Sequence, residues 1–183
     1  MNLVETGLPG LTVVQSAPHR DFRGSFTRLF CVEELQPLLG SRQIVQVNHS
    51  VTTNVGTVRG LHFQSPPHAE MKMVRCVRGR VWDVAVDLRS GSPTFLEWHA
   101  EELSHDDARM MVVPEGFAHG FQALEPESEV LYLTTAAYCP GSEGGLRHDD
   151  TRLAIAWPLP IHAVSPRDLA HPLINPDFGG VVL

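Results

Sequence analysis

Breaks in the chain constrain it most. Fifteen glycines and 14 prolines are spread along 183 residues, and no amphipathic helical stretch runs longer than about three turns. The pieces between the breaks are short and alternating, so the pattern predicts an all-β sandwich or barrel. The clearest predicted pair is Lys72 to Val77 with Val81 to Leu88, joined around Arg78-Gly79, where glycine supplies the positive φ of a tight hairpin turn. In the second of these strands Val84, Val86 and Leu88 alternate with Asp83, Ala85 and Asp87, which predicts one apolar and one partly polar face. A second hairpin is predicted from Met110-Met111-Val112-Val113 through Pro114-Glu115-Gly116 into Ala118 to Leu124, and a further strand over Glu129 to Tyr138. Val32 to Leu39 reads as a short peripheral helix, and Ser104-His105-Asp106-Asp107 as an N-cap followed by acidic first-turn residues. Past Leu153, Pro158, Pro160, Pro166, Pro172 and Pro176 exclude regular helix, so the tail is expected to lie irregularly across the barrel surface.

One domain over residues 1–183 is expected, since this length carries a full core but not two ordinary ones. A hydrophobic share of 43% against 19% charged excludes a disordered chain. The net charge of −7 gives no footprint for nucleic acid, although a local group of basic residues could still hold a phosphate. No apolar run approaches the roughly 18 residues of a membrane span, and Met1-Asn2-Leu3-Val4-Glu5 lacks the marks of a signal peptide. A soluble, cytoplasmic protein without membrane partners is the expectation. Cys31, Cys76 and Cys139 form neither a C-x-x-C pair nor a dense framework, and read as reduced structural thiols.

Several side chains could carry chemistry. On an extended strand His62 and Gln64 point one way and Leu61 and Phe63 the other, so an inward imidazole at a barrel mouth could act as a base; a lone histidine equally serves a buried hydrogen bond. Lys72 sits among Met71, Met73 and Val74, where an ammonium is costly unless it meets a negative partner or snorkels to the surface. Tyr132 and Tyr138, six apart on one predicted strand, would share a face, as substrate contacts or as core aromatics. His119 follows a turn at the barrel rim, and Asp168 could orient His62 by accepting a hydrogen bond from one ring nitrogen. Arg23 and Arg59 could clamp a diphosphate, or be ordinary loop arginines.

Taken together, Val58-Arg59-Gly60-Leu61-His62-Phe63-Gln64, Lys72-Met73-Val74-Arg75-Cys76, Asp83-Val84-Ala85-Val86-Asp87-Leu88-Arg89, Ser92-Pro93-Thr94-Phe95 and Pro114-Glu115-Gly116-Phe117-Ala118-His119-Gly120-Phe121 resemble the dTDP-4-dehydrorhamnose 3,5-epimerase family. The match extends from Asp21 to about Asp168. The resemblance implies a cupin-type jelly-roll β-barrel with a few short peripheral helices and no cofactor or metal. It also implies a homodimer in which an N-terminal strand of one subunit completes the partner's site. Carried over by position, His62 resembles the general base, Asp168 its orienting carboxylate, Tyr132 the acid on the opposite face, and Lys72 the group that stabilises the enolate oxygen. Arg59 and His119 resemble substrate contacts, Tyr138 the aromatic that stacks on the nucleotide base, and Arg23, Gln46, Asn48, Glu143 and Arg167 further binding positions, Arg167 replacing what is commonly Lys. The implied activity is epimerisation of a nucleotide-linked 4-keto-6-deoxyhexose at carbon 3, carbon 5 or both. A ketone at carbon 4 acidifies the neighbouring hydrogens, so the chemistry needs a base, an acid and an oxyanion partner rather than a redox group.

Two positions depart from the family pattern. Arg28 stands where a Glu of the nucleotide-binding region is usual, which keeps a CDP-linked sugar open as an alternative donor. Glu70 stands where Gln is common, and is expected to weaken a diphosphate. A metal-dependent cupin oxygenase would have to use His62, His68, Glu70 and His119, without the paired His-x-His usual in such sites. A non-catalytic sugar-nucleotide module would have no use for His62, Asp168 and Tyr132 together.

Overall fold

A computed structural model describes residues 1–183. In chain order the elements are β1 (Asn2–Glu5), β2 (Thr12–Gln15), β3 (His19–Asp21), β4 (Gly24–Phe26), α1 (Val32–Leu39), β5 (Gln46–Thr52), β6 (Thr57–Gln64) and β7 (Lys72–Arg78). There follow β8 (Arg80–Asp87), β9 (Trp98–Ser104), β10 (Arg109–Val113), β11 (Phe117–Ala123), β12 (Ser128–Thr134), β13 (Glu143–Gly145), β14 (Ala163–Val164) and α2 (Pro166–Leu169). One sheet runs β1-β2-β10-β7-β12-β5, the second β13-β6-β11-β8-β9 with β14 added beside β6, and β3-β4 forms a separate small hairpin. Apart from β14, which is parallel to β6, the pairings are antiparallel. This is the expected all-β jelly roll.

Both predicted hairpins are replaced by crossings between sheets. β7 pairs with β10 and β12, whereas β8 pairs with β11 and β9, so Gly79 carries the chain from one sheet to the other. Its φ is +69°, and a Cβ there would lie 2.6 Å from Ser128 Oγ. The turn at Pro114-Glu115-Gly116 likewise takes the chain from β10 in the first sheet to β11 in the second. A glycine turn at a strand end has the same local chemistry whether the chain folds back beside itself or arches across to a facing sheet.

Burial follows from this facing of two sheets. Val74, Cys76, Val81, Ala85, Met111, Phe117, Phe121 and Val130 fill the space between them. Leu35 and Leu39 of α1 cover the outer face of the first sheet against Met71, Met73, Met110 and Val112. The outer face of the second sheet, with Leu61, Val84, Val86, Leu88 and Ala118, is covered by Leu146, Leu153, Ile155, Ile174 and Val181 of the C-terminal tail. β8 is thus buried on both sides, and the face read as polar, Asp83 and Asp87, points inward at zero exposure. The tail lies across the barrel as expected, but it contains α2. There Pro166 occupies the first turn, where no backbone donor is needed, and the Ser165 hydroxyl accepts from Asp168 N–H. The stretch after Ser104 forms a turn rather than a capped helix.

The segment after β8 is fixed by one carboxylate. Asp87 accepts from Arg89 Nε (2.9 Å) and Nη2 (2.7 Å), Ser92 Oγ (2.6 Å), Thr94 Oγ1 (2.7 Å) and Arg89 N–H (3.0 Å). Burial alone would raise its pKa, but these donors outweigh it and hold the carboxyl at about 2. A folded pKa below the unfolded value stabilises above the unfolded value and ceases to as pH falls through the folded one. Asp87→Asn is expected to cost about 2 kcal/mol near pH 7. In denaturant titrations the gap to the parent should close between about pH 5 and about pH 2; a pH-independent gap would rule out the ionised network as its cause.

Candidate functional site

Register determines which side chains share the interior. Tyr132 pairs with Val74 and Asn48, Thr134 with Lys72 and Gln46, so Lys72, Tyr132, Gln46 and Asn48 face inward from the first sheet alongside the core residues Val74 and Cys76. From the second sheet, His119 pairs with both His62 and Ala85, and Phe121 with both Arg59 and Asp83, which turns His62, Arg59, His119 and Asp83 inward. β6 gains one residue between these pairs, and there Gly60 and Gly120 pack backbone to backbone; a Cβ on Gly120 would lie 2.6 Å from Arg59 O. The apolar inward residues fill the interior, and the polar ones gather where strands β6, β7, β11 and β12 meet.

His62 donates from Nε2 to Asp168 Oδ1 at 2.8 Å; the imidazole is 31% exposed and the carboxylate 6%. α2 brings Asp168 there, and Gly60 N–H donates to Asp168 Oδ2 at 3.2 Å. Burial pushes Asp168 up, but the His62 hydrogen bond and charge, with Gly60 and Ser165, bring it below the usual carboxylate range. A carboxylate so held keeps one ring nitrogen protonated and leaves the other as the free basic position. His171, which no sequence signal had singled out, stands edge-on to His62 with ring centroids 6.0 Å apart. Burial first and the His62 charge second lower its pKa, which favours the neutral ring.

Lys72 is buried, with Nζ donating to His62 O at 3.0 Å and lying 3.2 Å from Glu70 Oε1. Burial depresses its pKa, and the Glu70 and Asp83 carboxylates oppose that. The Tyr132 phenol is half-buried and makes no hydrogen bond within the chain; burial and then Glu70 raise its pKa, while Arg59 acts the other way. His119 hydrogen-bonds Asp83 Oδ1 at 2.8 Å, a second His–Asp pair that the sequence pattern does not signal, since alternation marks Asp83 only as part of a partly polar face. Asn48 Nδ2 and Ser50 Oγ are buried without partners. Donors left unpaired in an interior are costly unless a ligand accepts from them.

A second group lies at the rim. Tyr138 falls beyond the end of β12, not on it, so its link to Tyr132 is not a shared strand face. It donates to Glu143 Oε2 at 2.9 Å, Glu143 also pairs with Arg167, and Tyr138 N–H donates to Gln46 Oε1 at 3.1 Å. Arg59 is held by Thr52 Oγ1 (2.9 Å) and Val51 O (3.0 Å). Two expected site residues do not join. Arg23 lies in the exposed β3–β4 hairpin paired with Asp21, and Arg28 pairs with Glu34 of α1 at 2.6 Å.

The ligand atoms of His62, Asp168 and His171 lie within 4.8 Å of one another, a grouping that could hold a cation only by replacing the proton between His62 and Asp168. The four residues that a metal-dependent cupin would need are otherwise engaged: His62 with Asp168, His68 with Ser142, Glu70 with Lys72 and His119 with Asp83.

Asp83 is the least comfortable of these groups. Burial pushes its pKa up more than His119 and Lys72 pull it down, and Oδ2 has no partner. A carboxyl whose folded pKa is raised opposes folding once it ionises, so Asp83→Asn, which can still accept from His119, is expected to leave stability near pH 7 unchanged or higher. A loss above about 2 kcal/mol by denaturant unfolding would contradict that cost.

Comparison with known proteins bears on this arrangement. Residues 5–176 match the family model described as dTDP-4-dehydrorhamnose 3,5-epimerase. The chain is 39% identical over 170 residues to the dTDP-4-dehydrorhamnose 3,5-epimerase of Shigella flexneri, covering 92% of this chain and 93% of that one. It is 38% identical over 169 residues to a dTDP-4-dehydrorhamnose 3-epimerase of Streptomyces niveus, covering 92% and 81%. The dTDP-6-deoxy-D-glucose-3,5-epimerase of Legionella pneumophila, solved in complex with dTDP-4-keto-L-rhamnose, superposes with a TM-score of 0.87 at 38% identity over 93% of this chain and 90% of that one.

Proposed function

The chain belongs to the dTDP-4-dehydrorhamnose 3,5-epimerase family, and from that premise we propose that it converts dTDP-4-dehydro-6-deoxyglucose to dTDP-4-dehydrorhamnose by inverting carbons 3 and 5. The observation that carries the reading is the His62–Asp168 hydrogen bond facing an interior that also holds Lys72 and a free Tyr132 phenol. The ring nitrogen of His62 not engaged by Asp168 takes the proton from the carbon beside the ketone. The buried Lys72 ammonium meets the charge that develops on the carbonyl oxygen. Tyr132 returns a proton from the opposite face, which inverts the centre. Arg59, His119 and Asn48 would contact the sugar and diphosphate, and Tyr138, with Gln46, Glu143 and Arg167, the nucleotide. Inversion at carbon 3 alone is the second reading, favoured by the similarity to the Streptomyces niveus 3-epimerase. His62→Asn and Tyr132→Phe are each expected to lower product formation about 10²- to 10⁴-fold without loss of fold. Wild-type rates in both variants would overturn the assignment.

The second copy enters through the hairpin. Every residue of β3 and β4 is exposed, and Phe22 (98%) and Phe26 (69%) stand in solvent. β5 is a free sheet edge bearing exposed Val47 and Val51 beside Val45. In a homodimer the hairpin would bring Arg23 to the partner's nucleotide. Light scattering is expected to give twice the 20.2 kDa chain mass; the mass of a single chain would exclude this. No helix is long and apolar enough to cross a membrane, and the three cysteines are unpaired, as suits a reducing cytoplasm.

A further inference from the structure

Glu70 belongs to none of the roles above, yet its carboxylate lies deep among them. Its side chain is only 10% exposed, the same as that of Lys72, whose Nζ is 3.2 Å from Oε1. The other oxygen, Oε2, accepts from Gln64 Nε2 at 3.1 Å. Gln64 is itself immobilised: its amide also faces Ala137 O (3.2 Å) and His68 O (2.9 Å), and its Oε1 accepts from Cys139 N–H at 2.6 Å. A carboxylate anchored at one oxygen by a fixed amide presents the other to Lys72 in a set geometry. A surface glutamate has no such support.

We propose that Glu70 is a positioning residue that keeps both Lys72 and Tyr132 protonated, and so sets the alkaline limit of the proposed epimerisation. The inference rests on that reading for its catalytic consequence, though not for its electrostatics. Around Lys72 stand Glu70 from the loop before β7, Asp83 of β8, the His62 carbonyl of β6 and, through Asp83, His119 of β11. Tyr132 of β12 faces inward diagonal to Lys72 on the neighbouring β7, two residues from the position opposite it, and on its phenol Glu70 and Arg59 of β6 act with opposite signs. Asp168 and His171 lie behind His62. Glu70 alone acts on both proton-bearing groups in the same sense. It supports the ammonium against burial, and it opposes formation of a phenolate. The ammonium must be charged to stabilise an enolate oxygen, and the phenol must keep its proton to return one. One fixed negative charge therefore serves both half-reactions without touching substrate.

Glu70→Gln preserves size and a carbonyl oxygen while removing the charge. In that variant both pKa values should fall. The alkaline limb of the kcat profile should then move to lower pH by about one unit or more, while the Glu70→Asp variant, retaining the charge, stays near the parent. A merely structural role would lower the rate at every pH and leave the limb in place. A second readout needs no substrate: Tyr132 and Tyr138 are the only tyrosines, so in a Tyr138→Phe background the phenolate absorbance titrates Tyr132 alone. Its midpoint should fall when Glu70→Gln is added. An unmoved Tyr132 midpoint, or an unmoved kinetic limb, would overturn the proposal. A shifted midpoint in a protein that turns over no 4-keto sugar would instead uphold the electrostatics of Glu70 and reject the epimerase reading.

Discussion

The two-residue period of a β-strand, locked by pairing on both sides of β11, is the constraint on which the rest of this structure depends. β11 is held between β6 and β8, so the inward set Phe117, His119 and Phe121 cannot slip without carrying every neighbour to the wrong face. The same register that buries Phe117 and Phe121 delivers His119 beside His62 and Asp83. Core and site are therefore one alternation read at two places along the strand.

The interior carries polar groups that a purely structural core would omit. Asp83, Lys72, His119 and Asp168 are buried, and the unpaired Nδ2 of Asn48 and Oγ of Ser50 lie with them. Their desolvation is offset elsewhere, by the apolar layer under α1, by the tail packed on the second sheet, and by the Asp87 network. The tail contributes twice, because the segment that covers the sheet also contains the helix that presents Asp168 to His62.

What could be read from the sequence was what strand chemistry and local strings determine. The core of each named strand, the α1 span and the tail's course follow from alternation and proline placement; His62, Lys72 and His119 lie in the motif strings, whereas Asp168 and Tyr132 follow only from their positions within the resemblance. The misreadings were long-range ones. Gly79 and Gly116 mark turns, but nothing local says whether a chain returns in its own sheet or crosses to the facing one. That choice decides the environment of Asp83, whose alternation with Val84 and Val86 marks a partly polar face without saying that it points between the sheets. The strand predicted to reach Tyr138 stops at Thr134, and Pro166, which in the sequence marks a helix break, sits in the first turn of α2, where proline is tolerated. Arg23 and Arg28 stand apart from the His62 cluster within one chain, paired with Asp21 and Glu34.

The central claim is that His62 and Tyr132 exchange carbon-bound protons with solvent on opposite sides of a bound 4-keto sugar. Proton NMR of the wild-type protein turning over dTDP-4-dehydro-6-deoxyglucose in heavy water tests it directly. The account predicts deuterium in the inverted product at carbons 3 and 5, or at carbon 3 alone if only that centre is inverted. Inverted product carrying no solvent deuterium, or no incorporation at either carbon, would contradict it.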